Sequence, residues 1–198
     1  AVLEMGMNEA GEIERLTKIA QPTVGMITNV TAAHLEKLST VEAVAKAKGE
    51  LFATMNPAGT IIVNDEDPLV CEIATGFSGR AIHFGMQNSS DVRFLHVQMH
   101  GLDEMELSVS VFGKELQLRL QLPGTHNVMN ALAALSAAIA LDVDVEKAAQ
   151  GLAGFTPMPM RFEQVQLANG ARLVNDSYNA NPHSMLEAFR TVSSAKRA

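Results

Sequence analysis

Short apolar runs separated by amphipathic helical stretches make up the first part of the chain. The runs that we interpret as buried strands are residues 1–3, 23–30, 60–63 and 80–84. Helical spacing marks two of the intervening stretches, 10–20 through Ile13, Leu16 and Ile19, and 41–55. Strands that alternate with helices are typical of parallel crossover connections. We therefore predict an α/β fold with a mostly parallel sheet flanked by helices.

The pattern changes within residues 88–122 to an alternation of apolar and polar positions. Such segments are typical of antiparallel strands with one solvated face, and here they are 91–99, 105–112 and 115–122. We predict a small antiparallel subsheet inside a single domain that spans residues 1–198. After it we predict a segment, 123–142, that begins with a turn and becomes a helix. A second helix at 145–154, a strand that opens the stretch 172–182, and a last helix from Ser184 follow.

Polar residues stand where three of the predicted strands end. They are Glu4, Asn29 and the pair Asn64 and Asp65. The carboxyl ends of parallel strands meet at one edge of a sheet, and α/β proteins bind ligands there, so we expect these residues to line that edge. For Glu4, a hydrogen bond to a loop and a metal contact are equally open, whereas a turn is the favoured interpretation of Asn64 and Asp65.

Lys48 stands on the apolar face of a predicted helix. It precedes Leu51 by three residues and Phe52 by four, so we predict that it points inward. Burial disfavours the charged amine, lowers its pKa and leaves a nucleophilic nitrogen that can be modified. A lysine that snorkels to solvent or meets a buried carboxylate is the alternative. Lys46 and Glu50 are predicted to form an ordinary i,i+4 pair on the polar face.

Several other polar residues have two open interpretations. Asn127 and Asn130 lie one helical turn apart, and because capping accounts for at most one of them, the other calls for a partner such as a heterocyclic ring. Arg161 follows a proline-rich turn and is either a surface arginine or a phosphate contact. His96 and His100 are interpreted as surface histidines, because no further ligand completes a metal set.

Composition and charge exclude several classes of function. The 198-residue chain is 47% apolar and has a net charge of −7, with scattered lysines and arginines, which argues against nucleic-acid binding. No apolar run approaches the roughly 18 residues of a membrane span and no signal peptide is visible, so we expect no membrane insertion and a cytoplasmic location. The single cysteine, Cys71, is interpreted as a small buried hydrophobe, and a monomer is expected.

Five motifs occur in order along the chain. They are LEMG with GEI at 3–6 and 11–13, TN…AHLE at 28–36, AKAKGE at 45–50, GTHNVMNALAA at 124–134 and NDSYNANP at 175–182. Over nearly the whole chain they resemble the central, ATP-binding domain of the Mur ligases. Within that family, DSYNANP points to the branch that adds D-alanyl-D-alanine to UDP-N-acetylmuramoyl-tripeptide in peptidoglycan precursor synthesis.

The resemblance implies a P-loop NTPase-like fold, an amide ligase that works through an acyl phosphate, and ATP and Mg²⁺ as cofactors. It also implies that the catalytic residues are Glu4, His34 and Lys48, with Lys48 carbamylated and all three acting as magnesium ligands. The implied nucleotide contacts are Asn127 and Asn130 to adenine, Arg161 to a phosphate or ribose oxygen, and Asp176, Asn179 and Asn181 to the rest of the nucleotide.

The sequence departs from the family pattern at three points. Asn175 replaces the first of two acidic residues before SYNANP, so Asp176 alone carries any ribose contact. Met160 replaces the glycine that usually precedes Arg161, and methionine does not take a positive φ cheaply. No G-x-x-x-x-G-K-[ST] phosphate loop occurs in the 198 residues. We therefore expect a truncated core, with the phosphate loop upstream and a further domain downstream, that does not catalyse ligation alone.

Two alternatives to this ligase remain. Another Mur ligase or a folylpolyglutamate synthase relative would retain the ATP and magnesium residues but not DSYNANP. A non-catalytic nucleotide-binding remnant would keep the fold without the phosphate loop.

Overall fold

The computed structural model describes residues 1–31, 35–180 and 182–195. Helices α1 to α7 span Glu12–Ala20, Leu35–Leu38, Val41–Thr54, Pro68–Ala74, His126–Ala140, Val145–Ala153 and Pro182–Ala195. Strands β1 to β8 span Val24–Ile27, Thr60–Asn64, Arg80–Gly85, Val92–His100, Glu104–Val111, Lys114–Leu120, Glu163–Gln166 and Arg172–Asn175. None of the helices in these ranges has the length and apolar character needed to cross a membrane.

A six-stranded sheet in the order β1-β2-β3-β4-β5-β6 organises the described residues. β1, β2 and β3 run parallel, and β4 joins β3 in parallel through Phe84 with Val92 and Gly85 with Arg93. β4, β5 and β6 pair antiparallel, as their alternating pattern predicts. The predicted α/β class is confirmed, and the antiparallel strands continue the parallel ones in a single sheet.

Helices cover the parallel strands from both sides. Ile61 and Val63 of β2 belong to an apolar cluster with residues of α1, α3 and α4. Ile62, between them, belongs to a second cluster with Leu132 and Leu135 of α5 and with the antiparallel strands. Because successive side chains of a strand point to opposite faces, every residue of β2 is buried.

Residues 1–7 do not form the strand predicted for 1–3. They have no regular secondary structure, and Val2 is 95% and Leu3 63% exposed. A strand needs backbone partners along its length, and among the described residues β1 pairs only on the side of β2. Glu4 is therefore an exposed residue of an irregular segment, and its predicted place at the end of a buried strand is wrong.

Helix α1 buries a different face from the one predicted. Ile13 and Thr17 are buried, whereas Ile19 is 71% exposed. The Thr17 hydroxyl donates to the Ile13 carbonyl at 2.7 Å, which satisfies its hydrogen bond inside the helix. A threonine thus occupies an interior position that the apolar pattern assigned to isoleucine.

β7 and β8 form a separate antiparallel hairpin. β8 is the strand predicted at the start of 172–182. β7, with the sequence EQVQ, was not predicted, because its mostly polar residues lack the apolar run or alternation that marks a strand.

The predicted pair of Lys46 and Glu50 is replaced by a contact between two helices. The Glu50 carboxylate accepts hydrogen bonds from the backbone N–H groups of Gly11 at 2.7 Å and Glu14 at 3.1 Å. These groups lie at the start of α1, where N–H groups have no partner inside the helix and the helix dipole favours negative charge. Glu50 therefore attaches α1 to α3.

Replacing Glu50 by alanine is expected to destabilise the protein by about 1 to 2 kcal/mol, because two N–H groups of α1 lose a charged acceptor. Replacing exposed Lys46 by alanine is the matched control and is expected to change the free energy of unfolding by less than about 0.5 kcal/mol. Urea unfolding of both variants measures the difference. Equal effects of the two substitutions would show that Glu50 acts only on the surface of α3.

Candidate active site

Lys48 lies on α3 and faces the carboxyl end of β1. Thr40 caps the start of α3, because its hydroxyl accepts the Ala43 N–H at 3.1 Å. Lys48 is half-buried, and its Nζ donates to the Asn29 carbonyl at 2.6 Å. Burial lowers the pKa of Lys48, and the Asp67 carboxylate opposes this shift only in part. The inward direction predicted for this lysine is confirmed, and its burial favours the uncharged amine in the predicted sense.

Two further side chains hold the same short peptide after β1. Asn64, at the end of β2, donates from Nδ2 to the Thr28 carbonyl at 2.7 Å. Asp67 accepts the Val30 N–H at 2.6 Å through Oδ2, while its Oδ1 caps α4. The backbone at this edge, where α/β proteins in general bind ligands, is therefore held by side chains from α3, β2 and the loop before α4.

Asp67 is a site residue beyond those predicted from the sequence. Its signal was available, because an aspartate directly before Pro68 is a typical start of a helix. That signal predicts the cap on α4 but not the second bond to Val30, which lies 37 residues away in the chain.

The described residues do not test the predicted magnesium ligands as a set. Glu4 is exposed, and no hydrogen bond or ion pair within the described part of the chain joins it to Lys48. His34 lies outside the described residues. In the described ranges no group of three or more His, Cys, Asp or Glu residues could hold a metal ion. A metal site here therefore depends on His34 and on modification of Lys48, and it stays a prediction.

Asp65 joins the end of β2 to the segment after β3. Its carboxylate contacts His83 Nδ1 at 2.7 Å and accepts from Ser90 Oγ at 2.6 Å. The Glu66 N–H donates to Asn64 Oδ1 at 3.0 Å, which closes a short local turn. The turn predicted for Asn64 and Asp65 is confirmed.

Two predictions about isolated side chains have different outcomes. His96 and His100 are exposed, as predicted. Cys71 is half-buried, not buried, and its Sγ donates to the Asn64 carbonyl at 3.5 Å. Burial and the neighbouring carboxylates, Asp65 first among them, raise the pKa of the Cys71 thiol. The uncharged thiol is a weak nucleophile, which agrees with a structural role.

Asn127 and Asn130 share one face at the start of α5, as predicted. Asn127 Nδ2 donates to the Pro123 carbonyl at 2.7 Å, and Asn130 Nδ2 donates to Asn127 Oδ1 at 3.1 Å. Thr125, at the helix start, makes no side-chain cap. Asn130 is exposed at the end of this chain of bonds, so its amide is accessible to a ligand with both donors and acceptors.

His126 is a candidate site residue beyond those predicted from the sequence, although it lies inside the motif GTHN. Its Nδ1 is buried without a hydrogen-bond partner. Burial lowers the pKa of His126, and the nearby carboxylates of Glu187 and Asp176 oppose this shift. The imidazole is therefore neutral near pH 7. These carboxylates also show that the start of α5 lies close to α7 and to the loop after β8.

Arg161 stacks on Tyr178, with its Cζ 4.0 Å from the ring centroid. The backbone at Met160 has φ 62°, so methionine adopts the positive value that the sequence analysis questioned. Asp176 Oδ1 accepts the Phe162 N–H at 3.0 Å, and the Tyr178 N–H donates to the Met160 carbonyl at 3.1 Å. The loop after β8 and the Arg161 turn therefore hold each other.

Asn179, another predicted nucleotide residue, lies on the same loop. Asn179 is exposed, and Asn181 lies outside the described residues. The structure thus brings Arg161 and Asp176 together and places the start of α5 near Asp176. Lys48 lies in a separate group of residues at the end of β1.

Comparison with known proteins identifies the family. The model of the Mur ligase middle domain matches residues 1–138. The chain belongs to this family. The resemblance drawn from the five motifs is therefore confirmed.

Individual relatives cover nearly all of the chain. It is 33% identical over 194 residues to UDP-N-acetylmuramoyl-tripeptide D-alanyl-D-alanine ligase from Bacillus subtilis. The match covers 98% of this chain and 41% of that protein. The Escherichia coli ligase of the same name is 32% identical over 196 residues. That match covers 97% of this chain and 43% of the Escherichia coli protein. The chain thus spans about two fifths of the length of these relatives.

Solved structures show the same relationship. MurF from Acinetobacter baumannii is 32% identical with a TM-score of 0.89, covering 96% of this chain and 42% of that one. MurF from Thermotoga maritima in complex with ADP is 26% identical with a TM-score of 0.83. The match covers 98% of this chain and 43% of that one. FPGS from L. casei, at 19% identity and a TM-score of 0.77, shares the fold.

The lowered pKa of Lys48 predicts a pH-dependent effect of the substitution Lys48→Met. Between the lowered pKa and the ordinary value of 10.5, the unfolded chain binds more protons at this site than the folded chain, so stability rises with pH. Below that range the folded state carries the full penalty of a half-buried charge, which methionine removes.

The stability of Lys48→Met relative to the unmodified protein is thus expected to be highest near pH 7 and to fall as the pH approaches 10.5. The variant also loses the hydrogen bond from Lys48 Nζ to the Asn29 carbonyl, which lowers its free energy of unfolding by an amount that does not depend on pH. Thermal unfolding in CO2-free buffer measures the difference, with exposed Lys46→Met as the matched control. A difference that is constant over this range would contradict the burial of the charge.

Gly124 lies so close to His126 and Thr191 that a side chain at this position would disrupt their packing. Its φ is 97°, and a Cβ there would lie 2.6 Å from His126 Cε1 and 2.7 Å from Thr191 Oγ1. Gly124→Ala is expected to destabilise the protein by about 2 to 4 kcal/mol, from backbone strain and overpacking together.

Gly170→Ala is the matched control, because its φ is 84° and no atom lies within 4 Å of the added carbon. It carries the backbone strain alone, about 1 kcal/mol. Urea unfolding of both variants measures the difference. If both substitutions lower the free energy of unfolding by the same amount, crowding against His126 and Thr191 does not contribute to the effect at Gly124.

Proposed function

We propose that this chain is the ATP-binding middle part of a ligase that joins D-alanyl-D-alanine to UDP-N-acetylmuramoyl-tripeptide. The observation that carries the proposal is the half-buried Lys48 at the carboxyl edge of the sheet, with its lowered pKa. The relatives that are 32–33% identical over nearly the whole chain bear that ligase name. The ADP complex of the Thermotoga maritima MurF, which has the same fold, supports the nucleotide.

The proposed reaction has two steps that balance. A carboxylate oxygen of the tripeptide attacks the γ-phosphorus of ATP, which forms an acyl phosphate and releases ADP. The amine of D-alanyl-D-alanine then attacks the acyl carbon, the new amide bond forms, and the amine proton and inorganic phosphate leave. Such transfers depend on positioning and on neutralisation of charge.

Lys48 is proposed to react with CO2 before catalysis. Its uncharged nitrogen forms a bond to the carbon of CO2 and loses a proton, which turns a buried cation into a carboxylate-like anion. The lowered pKa supports this step, because only the unprotonated amine reacts. The bond from Nζ to Asn29 keeps the amine at the ligand-binding edge.

The proposed magnesium ligands are Glu4, His34 and the carbamate of Lys48. Carboxylate and carbamate oxygens are the ligand type that Mg²⁺ prefers. When bound, the ion would supply neutralisation of negative charge on the phosphates. In the described residues Lys48 alone of the three is held at the carboxyl edge of the sheet by a hydrogen bond, so the modified lysine is central to this proposal.

The proposed nucleotide contacts use the second group of residues. The exposed amide of Asn130, supported by Asn127, has the donor and acceptor that an adenine edge requires. Arg161 offers a planar cation to a phosphate or ribose oxygen. Asp176, Asn179 and Asn181 complete the proposed set, and a ribose contact would fall to Asp176 Oδ2, because Oδ1 accepts the Phe162 N–H.

Phosphate binding needs a part that these residues do not contain. The 198 residues include no G-x-x-x-x-G-K-[ST] sequence. In proteins that have this loop, its backbone amides and lysine bind the β- and γ-phosphates. We propose that the 198 residues alone do not turn over ATP.

The decisive test uses the protein as its gene encodes it, with any sequence that flanks these residues. Given ATP, Mg²⁺, UDP-N-acetylmuramoyl-tripeptide and D-alanyl-D-alanine, it is expected to release phosphate only when both peptide substrates are present. Lys48→Ala is expected to lower kcat by roughly 10²-fold or more, because charge compensation at the site is lost. The matched control, Lys46→Ala, is expected to retain activity.

Other outcomes have distinct meanings. Release with a folate acceptor would keep the mechanism and replace the substrate class. A folded protein that releases no phosphate with any acceptor would overturn the ligase proposal in favour of a nucleotide-binding remnant. Turnover by the 198 residues alone would contradict the requirement for a phosphate loop.

A further inference from the structure

The turn that carries Arg161 is strained on both sides of the arginine. Met160 has φ 62° and Phe162 has φ 52°, and neither is glycine. Residues with side chains adopt such values at a cost and hold them only when surrounding contacts impose them. Strain of this kind is concentrated at functional sites, so the contacts that maintain this turn bear on how Arg161 is positioned.

Carboxylates hold the backbone on both sides of Arg161. Glu163 Oε2 accepts the Met160 N–H at 3.0 Å. Asp176 Oδ1 accepts the Phe162 N–H at 3.0 Å. The amides of both strained residues therefore end on charged acceptors, which form stronger hydrogen bonds than neutral ones do.

Glu163 is itself held by the hairpin. The same Oε2 accepts a hydrogen bond from Asn175 Nδ2 at 3.1 Å, and Glu163 pairs with Asn175 across β7 and β8. An aspartate at position 175 would instead place a second carboxylate against Glu163, which like-charge repulsion disfavours. The amide of Asn175 thus suits the carboxylate it faces.

The hairpin has a fixed base on the main sheet. Gln164 Nε2 donates to the Leu102 carbonyl at 2.6 Å, and Arg172 pairs with Asp103 at 3.0 Å. Leu102 and Asp103 lie in the turn between β4 and β5. Glu163 therefore connects the strained turn to a hairpin that has its own contacts with the main sheet.

We propose that Glu163 is a positioning residue that holds the turn of Met160 to Phe162, so that Arg161 stays stacked on Tyr178 and is presented to a phosphate group of the nucleotide. The phosphate part of this inference rests on the proposed function. Glu163 acts through the Met160 amide and Asn175 and does not touch the nucleotide. Arg161 makes the contact.

Tyr178 provides a direct measurement, because it is the only tyrosine in the chain. Its ring resonances in a ¹H–¹³C NMR spectrum depend on the guanidinium stacked above it, and Tyr178→Phe assigns them in a longer polypeptide. Glu163→Ala is expected to shift them in the same direction as Arg161→Ala. Gln166→Ala, the matched control, removes a hydrogen bond to Gly170 at the other end of the same hairpin and is expected to leave them in place.

Nucleotide affinity is the second measurement, made by calorimetry with ADP and Mg²⁺ on the protein as its gene encodes it. Glu163→Ala is expected to weaken binding by roughly tenfold, the effect of about one to two lost hydrogen bonds. Glu163→Gln keeps an acceptor oxygen and is expected to restore most of the affinity. In an Arg161→Ala background, Glu163→Ala is expected to add no further loss, because it acts through Arg161.

Several results would overturn the inference. They are unchanged Tyr178 resonances in Glu163→Ala, a Glu163→Gln variant as weak as Glu163→Ala, and additive losses in the double variant. If Glu163→Ala does not fold, Glu163→Gln and Asn175→Asp take its place, and the repulsion expected for Asn175→Asp must shift Tyr178 or the inference fails. If the unmodified protein binds no ADP, the proposed function fails, and the Tyr178 resonances alone decide whether Glu163 holds the turn.

Discussion

The burial of β2 on both faces is the constraint on which the rest of the structure depends. Ile61 and Val63 pack against one layer of helices and Ile62 against the other. A backbone enclosed in this way must pair on both edges, and β2 pairs in parallel with β1 and β3. The carboxyl ends of β1 and β2 then lie together, which brings Asn64 and Lys48 to the same peptide after β1.

Polar side chains around the candidate site act largely on the backbone. Asn64 and Asp67 hold the peptide after β1, and Asp176 and Glu163 hold the turn that carries Arg161. Loops that leave regular structure expose amides and carbonyls that need partners when water is partly excluded. The carboxylates and amides that resemble ligand sets in the sequence therefore serve in part to preorganise the residues that are proposed to meet a ligand.

Much of the site was visible in the sequence where the signal is local. The inward direction of Lys48 follows from its spacing to Leu51 and Phe52, and the shared face of Asn127 and Asn130 follows from one helical turn. The roles of Glu50, Asp67 and Glu163 were not visible, because a carboxylate in a sequence does not reveal its partner. Glu50 reaches Gly11 across 39 residues and Asp67 reaches Val30 across 37.

By itself the sequence determined the α/β class, the position of the strongly periodic helices and strands, and the family, because burial repeats with the period of each element and ordered motifs keep their spacing. The tertiary structure alone decided that residues 1–7 form no strand, that Thr17 is buried in place of Ile19, and that Met160 takes a positive φ. Residues 1–7 have no pairing strand among the described residues, whereas the other two features depend on contacts between distant segments, whose combined free energy outweighs the local preference of a residue.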